Sequence, residues 1–293
     1  MITPTLPRFL HWLIPIGLAL ALLLAAASAL GRAAELERVD VEGQPLAANA
    51  ERLLEALNIL GAKPDEATVK SLQEAIKNRK ADKIQEALDP LVLVQVTINP
   101  ESRVKARRGP AEAKLQQGGH VPALIKVVND STVKKPLHVT SPQAGKVYND
   151  KNSQGRFLVA EMFTSPPLTA NLSGLRVEYA LALIYSHEAG KREATLTFDV
   201  GQGTQDQGFR AEVPILFDVK PGVKVKLSIT DVDGKPTVGR FTFRDKQGHI
   251  YPPQAKRLAP DFFFQEQVYR PDGGTVLLPP GDFTMHYGRG PEY

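Results

Sequence analysis

The hydrophobic period of this chain changes at Asp89-Pro90, and that change constrains the fold more than any other feature. Before it, apolar residues recur every three or four positions; after it, every second position. Leu53, Leu54, Leu57 and Leu60 fall at helical spacing, and Gly61 is placed as their C-cap. Pro64-Asp65-Glu66 opens a second helix, with acids in the first turn where the helix dipole favours them. Val69, Leu72, Ala75 and Ile76 make its apolar face. A third helix, Ala81 to Leu88, sets Ile84 and Leu88 four apart and stops at Asp89-Pro90. Short amphipathic helices cannot bury their faces alone. Residues 46–89 are therefore expected to pack together or dock on the strands C-terminal to them, as a structural spacer or as a partner-binding hairpin.

From Leu91 onward, Val92, Val94, Val96 and Ile98 share one side of a strand, and Leu91, Leu93, Gln95 and Thr97 share the other. The Val/Ile side reads as core. Further strands are expected at His120–Asn129, Pro136–Thr140, Leu175–Tyr185, Ala194–Val200 and Phe209–Val219, with Gly145–Ser165 as a long polar loop. The chain carries 23 Gly and 23 Pro, and no helical pattern intervenes between these strands, so residues 90–220 read as an antiparallel sandwich. A boundary is expected at Lys220-Pro221-Gly222. Beyond it, Val223 to Ile229 alternate, Asp231–Pro236 and Asp245–Gly248 turn, and Val238–Arg244, Thr275–Leu278 and Phe283–Tyr287 extend. Residues 221–293 thus read as a small sandwich of seven strands. The expected class is mainly β: two antiparallel β-sandwich domains preceded by a short helical segment.

The N-terminus carries a different signal. Arg8 and His11 form a short basic region, an apolar run spans Trp12 to Ala27, and small residues close it. Residues 1–34 read as a signal peptide cleaved near residue 29 or 33, with a linker over 35–45. An uncleaved membrane anchor is the rival reading. Either way the rest is expected to be exported, to a periplasmic or extracellular location, with membrane contact only if the signal stays.

Composition narrows the chemistry. Hydrophobic residues make up 42% and charged residues 23%, which excludes a disordered chain. The absence of cysteine excludes disulfide scaffolds, thiolate metal sites and thiol catalysis. A net charge of +4, dispersed along the chain, does not support nucleic acid as a partner. Of the six histidines, His11 lies in the signal, and His120, His138, His187, His249 and His286 are scattered without H-x-H or H-E-x-x-H spacing. An enzyme in its own right would need them to converge with carboxylates such as Asp261 or Glu266. Asp231, Asp233 and Gly234 read as a tight turn rather than a calcium loop, and Gly201–Gly208 as a loop between strands rather than a phosphate cradle. No G-x-S-x-G elbow is present.

The segment Asp261-Phe262-Phe263-Phe264 through Tyr269 is the candidate site. Three consecutive phenylalanines cannot all face one side of a strand. At least one must leave the domain core or sit on an irregular turn. They either fill a core or bury against a neighbouring domain. The second reading makes Asp261, Phe262, Phe263, Phe264 and Tyr269 a candidate interdomain surface, partly exposed in this chain.

Three stretches then carry a resemblance: Val94–Gly119, Ser173–Val219 with LRVEYALALIYS, and Asp231–Tyr293 with FFFQEQVYRPDGGTVLLPPGDFTMHYGRGPEY. Across roughly residues 88–293 the chain resembles the N-terminal region of exported CehA/McbA-type metallohydrolases of planctomycetes, and its last segment resembles a carboxypeptidase-regulatory-like, transthyretin-type sandwich. The resemblance implies a PHP-type catalytic domain, carrying H-x-H and further metal ligands, downstream of GRGPEY. No residue here matches those ligands, so no catalytic residue and no metal are assigned to this chain; a divalent metal is expected only in that absent domain. The implied role is a non-catalytic accessory region whose partner is the PHP-type domain, in cis or in trans. The chain reads as a fragment or as a complete accessory protein. A stand-alone envelope binding or adhesion module is the alternative.

Overall fold

The strand Val92–Ile98 is buried on both faces, and the two layers that bury it define the architecture. The computed structural model describes residues 35–145, 156–201, 210–257 and 259–289. The signal-peptide reading and most of Gly201–Gly208 lie outside the described residues. Three helices lead: α1 (Gly43–Ile59), α2 (Glu66–Lys77) and α3 (Ala81–Leu88), with a 3-10 turn at Asp89–Leu91. Asp65 caps α2 by accepting from the Thr68 amide at 3.0 Å. The strands come next, in order: β1 (Val92–Ile98), β2 (Val104–Arg108), β3 (Lys114–Gln116), β4 (His120–Asn129), β5 (His138–Thr140), β6 (Leu158–Met162), β7 (Val177–Ser186), β8 (Gly190–Asp199) and β9 (Glu212–Lys220).

Two sheets stack face to face. One has the order β2-β1-β4-β7-β6, the other β3-β9-β8-β5. Val94, Val96 and Ile98 from β1, Ile125 and Val127 from β4, and Phe198 and Phe217 from the second sheet fill the space between them. The opposite face of the first sheet, including Leu124, Val177, Leu181 and Leu183, is covered by Leu46, Leu53, Leu72, Ile84 and Leu88 of the helices. The helical segment is thus a third layer, and its apolar stripes are what it docks with. On the second sheet, β9 alternates exposed and buried residues, as expected for a sheet with one wet face. Most pairs run antiparallel. Two among the described residues do not: β1 lies parallel to β4, and β3 parallel to β9.

Beyond Lys220 come β10 (Val223–Lys226), β11 (Val238–Arg244), β12 (Ile250–Tyr251), β13 (Val268–Pro271), β14 (Thr275–Leu278) and β15 (Thr284–Gly288). Phe241, Phe243, Val268, Val276 and Leu278 form their common core. Among the described residues this region has six strands rather than seven, and the Val223–Ile229 alternation pairs with β14 only as far as Lys226. The polar stretch Gly145–Ser165 differs from expectation as well. It contains β6, which pairs with β7 from Leu158↔Ser186 to Met162↔Ala182.

A buried polar network joins helices to sheet. Lys126 is fully buried, and its Nζ donates to Asp89 Oδ2 at 2.8 Å and to the Glu37 carbonyl at 3.1 Å. Tyr179, directly opposite Lys126 across the β4–β7 ladder, donates its hydroxyl to Asp89 Oδ1 at 2.7 Å. The pairing of β6 with β7 stops at Ala182, and the side chain of Asn49 on α1 takes the Tyr179 amide (2.7 Å) and carbonyl (3.1 Å) instead. Burial lowers the Lys126 pKa, and Asp89 opposes that shift. Burial likewise raises Tyr179 well above the usual phenol, with the Asp89 charge adding to it.

Removing one member of such a pair leaves the other charge uncompensated. Asp89→Ala is expected to lower stability by about 3–5 kcal/mol, and the apolar double variant Asp89→Leu/Lys126→Met to recover part of that loss. Urea unfolding monitored by circular dichroism measures both. A double variant less stable than Asp89→Ala would contradict this account.

Candidate functional site

Six separate segments meet where the small C-terminal sandwich packs on the large one. They are the end of α1 with Gly61, strand β3, the start of β4, the end of β9, the turn from Asp245 to Tyr251, and Pro279–Phe283. They enclose a cleft of about 890 Å³. The approach of the walls is close. The Ile250 amide donates to the Gly61 carbonyl at 3.1 Å, and a Cβ on Gly61 would collide with Gln254 Oε1. Gly61 also has φ +63°, so glycine is required there on two counts.

Asp245 organises one wall. Its Oδ1 accepts from the amides of Gln247 and His249, each at 2.9 Å, which fixes the turn. Its Oδ2 lies 2.9 Å from His249 Nδ1 and accepts from the Tyr251 hydroxyl at 3.2 Å. Burial, then the Asp245 charge, pushes the Tyr251 phenol up to about 12. Tyr251 therefore stays protonated and donates. Facing this wall is His120, tilted against Tyr185 with ring centroids 5.0 Å apart. Its Nε2 is buried and has no hydrogen-bond partner. Burial first, and the nearby Lys256 ammonium second, bring its pKa down to about 4. At neutral pH it is an uncharged imidazole.

The aromatic segment sits elsewhere on the small sandwich, on an irregular turn closed by Gln265 N–H donating to the Phe262 carbonyl at 3.3 Å. Phe262, Phe263 and Phe264 are 42%, 36% and 61% exposed. The rings of Phe262 and Phe264 stack at 5.3 Å, and Phe263 meets Phe264 edge-on at 5.7 Å. The backbone beneath them is tied down. Gln254 donates to the carbonyls of Phe263 (3.0 Å) and Gln265 (3.2 Å), and Arg257 donates to that of Gln265 at 3.1 Å. Asp261 is held by a two-pronged Arg270 contact at 2.7 and 2.5 Å. Tyr269 is half-buried on β13, paired with Arg240, and its amide donates to Asp261 Oδ1 at 3.4 Å.

The other sequence candidates separate. Asp261 is engaged by Arg270 and Glu266 by Arg244 at 2.5 Å. Among the described residues no group of three His, Asp or Glu side chains is gathered as a metal site. Asp231–Gly234 forms a tight turn, with the Gly234 amide on the Asp231 carbonyl at 3.0 Å and φ +77° at Gly234. The cleft itself was missed from sequence. Its one local signal was Asp245 four residues before His249, which reads as turn chemistry alone.

His120 makes stability depend on pH. Its folded pKa lies below the unfolded value, so unfolded chains bind the extra proton and stability falls as pH drops from about 6.5 towards about 4. His120→Gln is expected to flatten the thermal-melting profile across that window. A variant profile as steep as the parent's would refute the assignment.

No protein-family model matches this sequence, and no curated protein matches it.

Proposed function

We propose that this chain is a non-catalytic accessory region of an exported CehA/McbA-like metal-dependent hydrolase, acting in the periplasm or outside the cell. The observation that carries the reading is the Phe262–Phe264 loop. Three contiguous aromatic rings stand partly in solvent on a backbone fixed by Gln254, Arg257 and the Asp261–Arg270 pair. Exposing rings on a rigid support has the form of a docking surface, since an unpinned loop would turn them inward. The occupant is the PHP-type catalytic domain, in cis or in trans. That domain would supply the metal and the activated water; this chain would position and stabilise it. Contact with the membrane requires that residues 1–34 remain attached. A stand-alone binding module of the envelope is the second reading, and the cleft beside Asp245 favours it.

The test mixes the purified chain with a PHP-type CehA/McbA catalytic domain and tracks both on size exclusion. Co-elution is expected, and Phe263→Ser/Phe264→Ser is expected to abolish it without lowering the melting temperature, because these rings are largely outside the core. Stoichiometric, tightly bound zinc or manganese together with hydrolase activity in this chain alone would overturn the accessory role. Co-elution unaffected by the double substitution would overturn the surface.

A further inference from the structure

The cleft between the two sandwiches has features that neither scaffolding nor docking requires. Its volume of about 890 Å³ lies within the roughly 300–1,000 Å³ range of small-molecule sites. Its charges are balanced. Lys114 pairs with Glu112, Lys220 with Asp218 at 2.9 Å, and Lys246 with Asp282 at 2.9 Å. Lys256, close to His120, pairs with Glu161. No arginine is among the described lining residues. Each of the three lining lysines already faces a carboxylate and no lining arginine adds to them, so the cleft holds no cation dedicated to a phosphate or sulfate.

Its surfaces are of two kinds. Flat, rigid apolar faces come from Tyr251 and Phe283, in edge contact at 5.3 Å and 79°, and from Pro122, Pro221, Pro253 and Pro280. Hydrogen-bonding groups come from His249, oriented by Asp245, from Gln116 and Gln247, and from the adjacent Lys246 donor and Asp282 acceptor. His120 lines the cleft as well, and its Nε2 is buried within that wall without a partner. We propose that this cleft binds an uncharged polyhydroxylated ligand, a sugar ring. Its C–H face lies on Tyr251 and the prolines, and its hydroxyls bond to His249, Gln247 and the Lys246–Asp282 pair. A sugar matches both surfaces and needs no net charge. The assignment stands independently of the hydrolase partnership, since the aromatic loop is no part of the cleft.

The purified chain is titrated with glucose, galactose, N-acetylglucosamine, cellobiose and inorganic phosphate while the imidazole signals of His120 and His249 are monitored by NMR. At least one sugar is expected to move both signals saturably, with phosphate leaving them in place. Tyr251→Ala should weaken that sugar about tenfold, as the loss of one aromatic platform predicts. Because Tyr251 also touches the small core, Asp282→Ala provides the second variant. Asp282 is exposed, so the melting temperature should hold while sugar affinity falls severalfold. The proposal is overturned if no sugar moves the signals, if phosphate alone does, or if both variants keep the parental affinity.

Discussion

Lys126 is a cation with no access to water, and the arrangement of the large sandwich depends on how its charge is met. The Asp89 carboxylate is the counter-charge, and it sits in the 3-10 turn between the last helix and the first strand. Tyr179 fills the second carboxylate oxygen from β7, and the Glu37 carbonyl brings in the chain that enters the helices. Four parts of the fold therefore converge on one buried ion pair, Lys126–Asp89. An apolar cluster of equal size would hold the layers as firmly, but helices on apolar faces can slide. Moving α3 by one turn would strand the ammonium in an apolar layer at a cost of several kcal/mol. The network thus specifies one seat for the helices, and the leucines supply the adhesion.

The period change at Asp89-Pro90 was legible because it is local. Residues on either side obey different repeats, and the 3-10 turn falls where the repeats meet. Ala81–Leu88, His120–Asn129, Val238–Arg244 and Thr275–Leu278 were readable for the same reason, each being an uninterrupted pattern between breakers. Pairing is not local. The parallel contact of β1 with β4 depends on which edge of β1 remains after β2 folds back on the other side, and no residue in either strand announces it. The strand β6 was hidden in a polar stretch because the exposed edge of β7, rather than its own alternation, recruits it. The buried network left a legible trace. A single Lys inside the otherwise apolar run Val121–Val128 needs a counter-charge from elsewhere.

The two surfaces of interest differ in the same way. Three successive phenylalanines conflict with strand geometry, so an irregular turn was foreseeable. Which rings stay in solvent is decided by Gln254 and Arg257, whose side chains reach carbonyls eight to eleven residues along the chain. The cleft leaves no such mark. Its histidines belong to different sandwiches, and His120 owes its neutral state to burial and to Lys256, neither visible as a motif. Tertiary packing creates the site, and the sequence shows only the turn that holds one wall.

The irregular segment Ile250–Arg257 links these surfaces. Tyr251 and Pro253 line the cleft, while Gln254 and Arg257 hold the carbonyls under the aromatic turn. The Ile250 amide is bound by the Gly61 carbonyl, and a side chain at Gly61 would strike Gln254. The end of α1, the cleft wall and the phenylalanine support are therefore a single packed unit. Because this segment contributes little regular ladder, its geometry depends on these side-chain bonds rather than on strand pairing. A substitution at Gln254 would loosen the aromatic turn and the Gly61 contact together. Phe264, exposed at the tip, can change without reaching the cleft. The two surfaces share a support but have separate contact residues, and that separation is what allows each to be tested without destroying the other.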